Sequence, residues 1–250
     1  MQAFRGAAEL GCSHLETDLR MSRDGEIVLM HDATLERTTN GAGAVSSLTL
    51  AELKRLDAGY NFSPDGRTFP ARGRGHVIPT LAEVVTALPD VRLNVEIKER
   101  GRPDLPRALA DFIERHALTD RIIVAAERHA LVKDFRRLSH SRVATSASRR
   151  ECMSFWLGSR LGVTGLMPIR YQALQIPVMA GSFMGRSVPF LTPRLLRAAK
   201  RRGVAVHVWT IDDPGEMHRL LDAGVDGLMS DYPDRLLDAV HERARKRAGR

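Results

Sequence analysis

The chain has 250 residues, 43% hydrophobic and 27% charged, which suffices for one sizeable core at the length of a single α/β barrel. No apolar run approaches the roughly eighteen residues of a membrane span, and no basic segment followed by a long apolar run opens the chain, so a cytoplasmic protein is expected. Cys12 and Cys152 are too few and too far apart for a disulfide framework or a thiolate metal site, and read as small buried apolar residues. The formal net charge of +8 gathers in the 136–160 stretch, in Arg194 to Arg202 and in the tail Glu242 to Arg250. The plain reading is a solvated surface and a frayed tail, with a positive field that suits a phosphate-bearing substrate. Aromatic and basic residues do not interleave, so no nucleic acid is expected as a partner.

In chain order, Ala3, Phe4, Ala7, Ala8 and Leu10 have helical spacing, and Gly11 ends that helix. Strand 13–18 (SHLETD) is followed, after Met21-Ser22-Arg23-Asp24-Gly25, by 26–31 (EIVLMH). So short a link containing Asp-Gly predicts an antiparallel β-hairpin over 13–31, since a parallel neighbour needs a crossover of about a dozen residues. Residues 59–79, rich in Gly, Pro and Arg, form a long loop over the expected barrel mouth; it is either a surface excursion or a source of arginines for an anionic substrate. Helices follow at about 80–88, 104–117, 128–139, 192–202, 213–223 and 233–247, with Thr80, Thr192 and Asp212 or Asp213 as N-caps and Gly203 and Gly224 as stops. Strands fall at 92–97, 121–126, 142–146, 174–178, 205–209 and 226–230.

This alternation predicts parallel βαβ units. With the hairpin partner set aside, the parallel strands number seven, whereas a closed barrel has eight, and an open one exposes an unpaired edge. The expected architecture is therefore one α/β domain over 1–250 of the (β/α)8 TIM-barrel type, N-terminally truncated so that its first strand is missing, with 240–250 a basic tail.

Glu16 and Asp18 lie two residues apart on a strand, so their carboxylates share a face at its C-terminal end, where barrel enzymes keep their sites. Strand Leu93-Asn94-Val95-Glu96-Ile97-Lys98 brings a third acid and a lysine to the same relative position. Each acid alone reads as a surface ion pair, but three converging carboxylates suit one hard divalent cation with oxygen ligands, Mg2+ or Ca2+. His31, closing the hairpin beside Glu16 and Asp18, is the candidate proton-transfer group. Lys98 offers a point charge for a phosphoryl oxygen. Trp209 offers either an apolar wall for a substrate or core packing, and His207, two residues earlier, reads as structural.

These residues resemble the glycerophosphodiester phosphodiesterase family. Leu15-Glu16-Thr17-Asp18-Leu19, Arg23-Asp24-Gly25, His31-Asp32 and Leu35-Glu36-Arg37-Thr38-Thr39-Asn40-Gly41 look like its central signature. Pro79-Thr80-Leu81-Ala82-Glu83-Val84, Val95-Glu96-Ile97-Lys98, Trp209-Thr210 and Gly224-Val225-Asp226-Gly227 with Ser230-Asp231-Tyr232-Pro233 follow in the family's order. The resemblance implies Glu16, Asp18 and Glu96 as metal ligands, His31 as an acid/base, Lys98 as a phosphate contact and Trp209 as a substrate-pocket aromatic. It also implies a small-molecule glycerophosphodiester substrate, hydrolysed to glycerol 3-phosphate and an alcohol. Two departures stand out: the family's initial His-Arg-Gly strand and Pro-Glu-Asn-Thr helix start are not found, and Ala126-Glu127-Arg128 replaces its usual Ser-Phe. The first is expected to reflect either a start lying upstream or a decayed relative with impaired turnover. The alternative to an enzyme is a non-catalytic basic barrel that binds phosphorylated ligands or anionic lipid.

Overall fold

Residues Gln2–Glu9 form helix α1 and lead into strand β1 (His14–Met21), which turns back at once into β2 (Ile27–Leu29). The short α2 (Leu50–Leu53), α3 (Leu81–Ala87), β3 (Arg92–Ile97), α4 (Leu105–Arg115), β4 (Ile122–Ala125) and α5 (His129–Leu138) follow. The computed structural model describes residues 1–98, 102–183 and 186–248. Two units divide the chain: Met1–Glu9 with Ser13–Val143, and Leu10–Cys12 with Ala144–Arg250.

In the first unit β1 pairs antiparallel with β2 over Leu19–Met21 and parallel with β3 from His14↔Arg92 to Leu19↔Ile97. β4 continues the sheet, parallel to β3. The expected hairpin over 13–31 is present, held by Ser22 Oγ, which donates to Asp24 Oδ1 (2.6 Å) and accepts from Glu26 N (2.9 Å). Strand parity then sorts the side chains. Leu19, Met21, Leu93, Val95 and Ile97 are buried on one face, against Leu105, Leu109, Phe112 and Ile113 of α4 and Val132 and Phe135 of α5. Glu16, Asp18 and Arg20 of β1, and Asn94 and Glu96 of β3, have the opposite parity. Each large aliphatic side chain buried is worth about 1.5–3 kcal/mol. A slip of one residue would drive the carboxylates into the core, so the packing that builds the fold also fixes the acids on one face.

The second unit contains β5 (Ala144–Thr145), α6 (Arg149–Leu161), β6 (Ala173–Ile176), β7 (Met179–Phe183), β8 (Arg186–Pro189), α7 (Pro193–Arg201), β9 (Ala205–Val208), α8 (Pro214–Ala223), β10 (Gly227–Leu228) and α9 (Pro233–Ala248). β9 lies between β6 and β10, parallel to both. Its core joins Leu174, Ile176, Val206 and Val208 to Phe155, Leu195, Met217 and Leu220. Gly227 faces His207 across β10 and β9, and a Cβ there would lie 3.0 Å from His207 Cδ2, which accounts for the glycine.

Every strand and helix expected from the sequence is found, and Thr80, Thr192 and Asp213 cap α3, α7 and α8. Among the described residues, α2, α6, the 3-10 turns Val45–Ser47 and Thr164–Leu166 and the antiparallel β7–β8 pair were not expected. The basic tail is helical to Ala248 rather than frayed, since α9 runs through it. Cys152 is buried, and burial pushes its thiol up to about 12, whereas Cys12 is only half-buried. Among the described residues, no helix is long and apolar enough to cross a membrane.

Candidate functional site

Asp18 and Glu96 face each other in the β1–β3 register, with Glu16 one pleat back on β1. Neighbouring strands run about 4.8 Å apart, so same-face carboxylates at paired positions must meet. One carboxylate oxygen from each of Glu16, Asp18 and Glu96 lies within 4.8 Å of the other two. Lys98 Nζ stands 3.1 Å from Glu96 Oε2 and 3.5 Å from Asp18 Oδ1.

The charges are uneasy. Burial pushes the Glu96 carboxyl above the ordinary glutamate value; Lys98 pulls it back, while Asp18 and Glu127 push it further up. Burial lowers Lys98, but Glu96 and Asp18 overcome this and leave it above the ordinary lysine value. One ammonium against three carboxylates leaves room for further positive charge. The set is all oxygen, with no thiolate or imidazole in it, and its three side chains come from two adjacent strands. That composition fits a hard divalent cation such as Mg2+ or Ca2+.

His31 follows β2 in the same unit, with its side chain 61% exposed. Its Nδ1 is 2.7 Å from Asp32 Oδ1, and Arg37 grips Asp32 through both Nε and a terminal nitrogen. Hydrogen bonds from Arg37 and then His31 hold the Asp32 carboxyl at about 2. Replacing Arg37 by Ala is expected to move Asp32 up toward its ordinary 3.8, read by carbon NMR across an acid titration. Because the folded value lies below the unfolded one, the stabilisation is complete above about pH 4 and is lost as pH falls through about 2.

Arg20 is a residue that sequence reasoning passed over. It sits one pleat beyond Asp18, on the same parity, and is 8% exposed. Its Nε and one terminal nitrogen donate to His31 O at 3.2 and 2.7 Å, and the other donates to Lys98 O at 3.1 Å. One buried guanidinium thus ties the histidine's backbone to the lysine's. Arg20→Met strands two carbonyls at roughly 1–3 kcal/mol each, so a drop in Tm is expected, with turnover falling more than a general loss of stability explains. Glu127, at the Ala126-Glu127-Arg128 departure, is a second unforeseen contributor through its charge on Glu96. Position i+2 from Asp18 was the available signal for Arg20; for Glu127 it was the place just beyond β4.

The 59–79 loop is locally ordered. Arg72 stacks between Tyr60 and Phe69, 4.1 and 4.0 Å from their ring centres, and donates to Tyr60 O. Asp57 accepts from the Gly59 and Gly73 amides. Asn40, Thr39 and Leu35 of the signature stretch also do structural duty, through Asp57 N→Asn40 Oδ1 and Thr39 Oγ1→Leu35 O. Trp209, 45% exposed, follows β9 in the second unit, and its amide donates to Ile176 O at 3.3 Å.

Residues 1–235 match the Glycerophosphoryl diester phosphodiesterase family. A Glycerophosphodiester phosphodiesterase from Caldanaerobacter subterraneus subsp. tengcongensis is 30% identical over 245 residues, spanning 96% of this chain and 90% of that protein. Lysophospholipase D GDPD1 from Homo sapiens is 29% identical, over 96% of this chain and 81% of its own length. Among solved structures, the Glycerophosphoryl Diester Phosphodiesterase Domain of a Mycobacterium tuberculosis protein superposes with a TM-score of 0.80 at 21% identity, covering 95% of this chain and 91% of that one. An Oleispira antarctica phosphodiesterase in complex with the product sn-glycerol-3-phosphate gives 0.69 at 22% identity, over 96% and 89%. At these identities the solved structures show the fold alone, an α/β fold of the (β/α)-barrel type.

Proposed function

Since the chain belongs to the glycerophosphoryl diester phosphodiesterase family, we propose that it hydrolyses glycerophosphodiesters to sn-glycerol 3-phosphate and an alcohol. The observation that carries this reading is the cluster of Glu16, Asp18 and Glu96 with Lys98 beside it. The three carboxylates would hold one divalent cation, Mg2+ or Ca2+, which when bound supplies Lewis-acid polarisation of the phosphoryl group.

The chain's own residues divide the remaining work. Lys98 holds a phosphoryl oxygen and meets the charge that grows there in the transition state. His31 moves a proton at the ester or attacking oxygen, steadied by Asp32. Arg20 positions both through their carbonyls. Trp209 is assigned to the organic part of the substrate.

The test is turnover of glycerophosphocholine and glycerophosphoglycerol with Mg2+ or Ca2+, followed by coupled detection of glycerol 3-phosphate. Product that appears with the cation and stops with chelator supports the reading; no product with either cation overturns it.

A further inference from the structure

Helix α6 buries Cys152, Phe155, Gly158 and Ser159 on one side. Its other side presents Met153, Leu157 and Leu161, four residues apart and therefore in one line, at 43%, 52% and 66% exposure. Past the left-handed cap at Gly162, Val163 is 42% and Leu166 88% exposed. Leu166 closes a short 3-10 turn that folds back on the helix, because a Cβ on Gly158 would run into Met167 Sδ. Single exposed apolar side chains are ordinary; five large ones between 153 and 166 are not.

The surrounding charge is one-sided. From Cys152 to Ile211 the sequence has no Asp or Glu and eight Lys and Arg, as many as the whole chain's excess of +8. Several of these arginines stand at the stripe. Arg160 stacks on Trp156, 4.2 Å from its ring centre. Arg194 brings a guanidinium nitrogen to 3.4 Å from where a Cβ on Gly162 would stand, and Arg202 donates to Gly165 O and Met167 O at 2.5 and 2.7 Å. Arg197 and Arg201, one turn apart on α7, are exposed.

We propose that this α6 face, an apolar stripe rimmed by arginines, docks on an anionic lipid surface. An interfacial helix lays leucine and methionine among acyl chains while arginines reach the phosphates around it, and the residue types here are of that kind. The occupant follows from charge. A second copy of the same face would set arginine against arginine, with no acidic residue between Cys152 and Ile211 to relieve it, so self-association is disfavoured. A bilayer of anionic lipid supplies both the apolar depth and the opposite charge.

The test is sedimentation of the full chain with vesicles of phosphatidylcholine alone and of phosphatidylcholine mixed with phosphatidylglycerol, at low and physiological salt. Binding to the mixed vesicles is expected, falling with salt and at least about tenfold weaker on neutral ones. Leu161→Asp with Leu166→Asp should weaken it by roughly tenfold or more. Arg194→Glu with Arg197→Glu should cost about fivefold per arginine. Both pairs change exposed side chains, so thermal melting close to wild type shows that folding is retained. The proposal is overturned if mixed vesicles bring down no protein, if the leucine variant binds as wild type does, or if lipid-free wild type is a dimer that the leucine variant converts to monomer.

Discussion

Glu96→Gln is expected to abolish the protein's response to divalent cations. For wild type, Mg2+ or Ca2+ at about a hundred times its dissociation constant adds about 2.7 kcal/mol of stability, which in a chain of this length raises Tm by roughly 5–10 °C. Glu96 is the only member of the acidic cluster on β3; Glu16 and Asp18 both come from β1. The amide keeps the shape and removes the charge, leaving two carboxylates on a single strand. The sign reverses without cation. The Glu96 carboxyl is pushed upward, chiefly by burial, so its ionised form costs stability at neutral pH, and that cost is absent in the glutamine variant. In chelator, then, the variant should melt no lower than wild type, while in cation it should melt well below. Turnover should fall by more than the roughly 10–100-fold that loss of an outer partner costs a metal site. Lys98→Met is the contrasting variant. It keeps all three carboxylates and removes a competing ammonium, so the cation shift is expected to persist or grow while turnover drops. An undiminished cation shift in Glu96→Gln would place the ion elsewhere and sink the reading.

Much of that centre was readable because strand parity is strict. Two acids at i and i+2 share a face whatever the tertiary context, and the βαβ pattern made β1 and β3 neighbours. Arg20 obeys the same parity, but its role depends on two backbone carbonyls brought together by packing, which no pattern of side chains announces. Helix α6 escaped for a different reason: with Cys152 and Phe155 inward and Met153, Leu157 and Leu161 outward, apolar residues ring the helix and erase its period. Its ends were legible, since Ser148 and Glu151 form a capping box and Gly162 takes the left-handed stop. The 59–79 loop owes its order to Asp57, Asn61 and Arg72 bonding to backbone atoms, contacts without any period.

His31→Ala is expected to lower kcat by about 10²–10⁴-fold with little change in KM and with the cation shift intact. Arg37 sets the state of Asp32. Its guanidinium keeps Asp32 ionised down to about pH 2, so at any working pH Asp32 only accepts hydrogen bonds. The contact at 2.7 Å then places the proton on His31 Nδ1, so that in the proposed reaction Nε2 would be the atom to exchange protons with substrate or water. Half of this arrangement is backbone: Arg20 anchors the His31 carbonyl, and Met30 N donates to Asp18 O at 3.0 Å, so the segment carrying the ring is stitched to the strand carrying the acids. A ring held in this way loses little binding when removed but takes the proton path with it, which is why the loss should fall on kcat. Asp32→Asn should show a smaller loss, because the amide can present either a donor or an acceptor to Nδ1 and no longer fixes the tautomer. Added imidazole should restore part of the turnover of His31→Ala and none of that of Glu96→Gln. Wild-type turnover in His31→Ala, or a loss confined to KM, would remove His31 from the chemistry and leave it as the hairpin's closing residue.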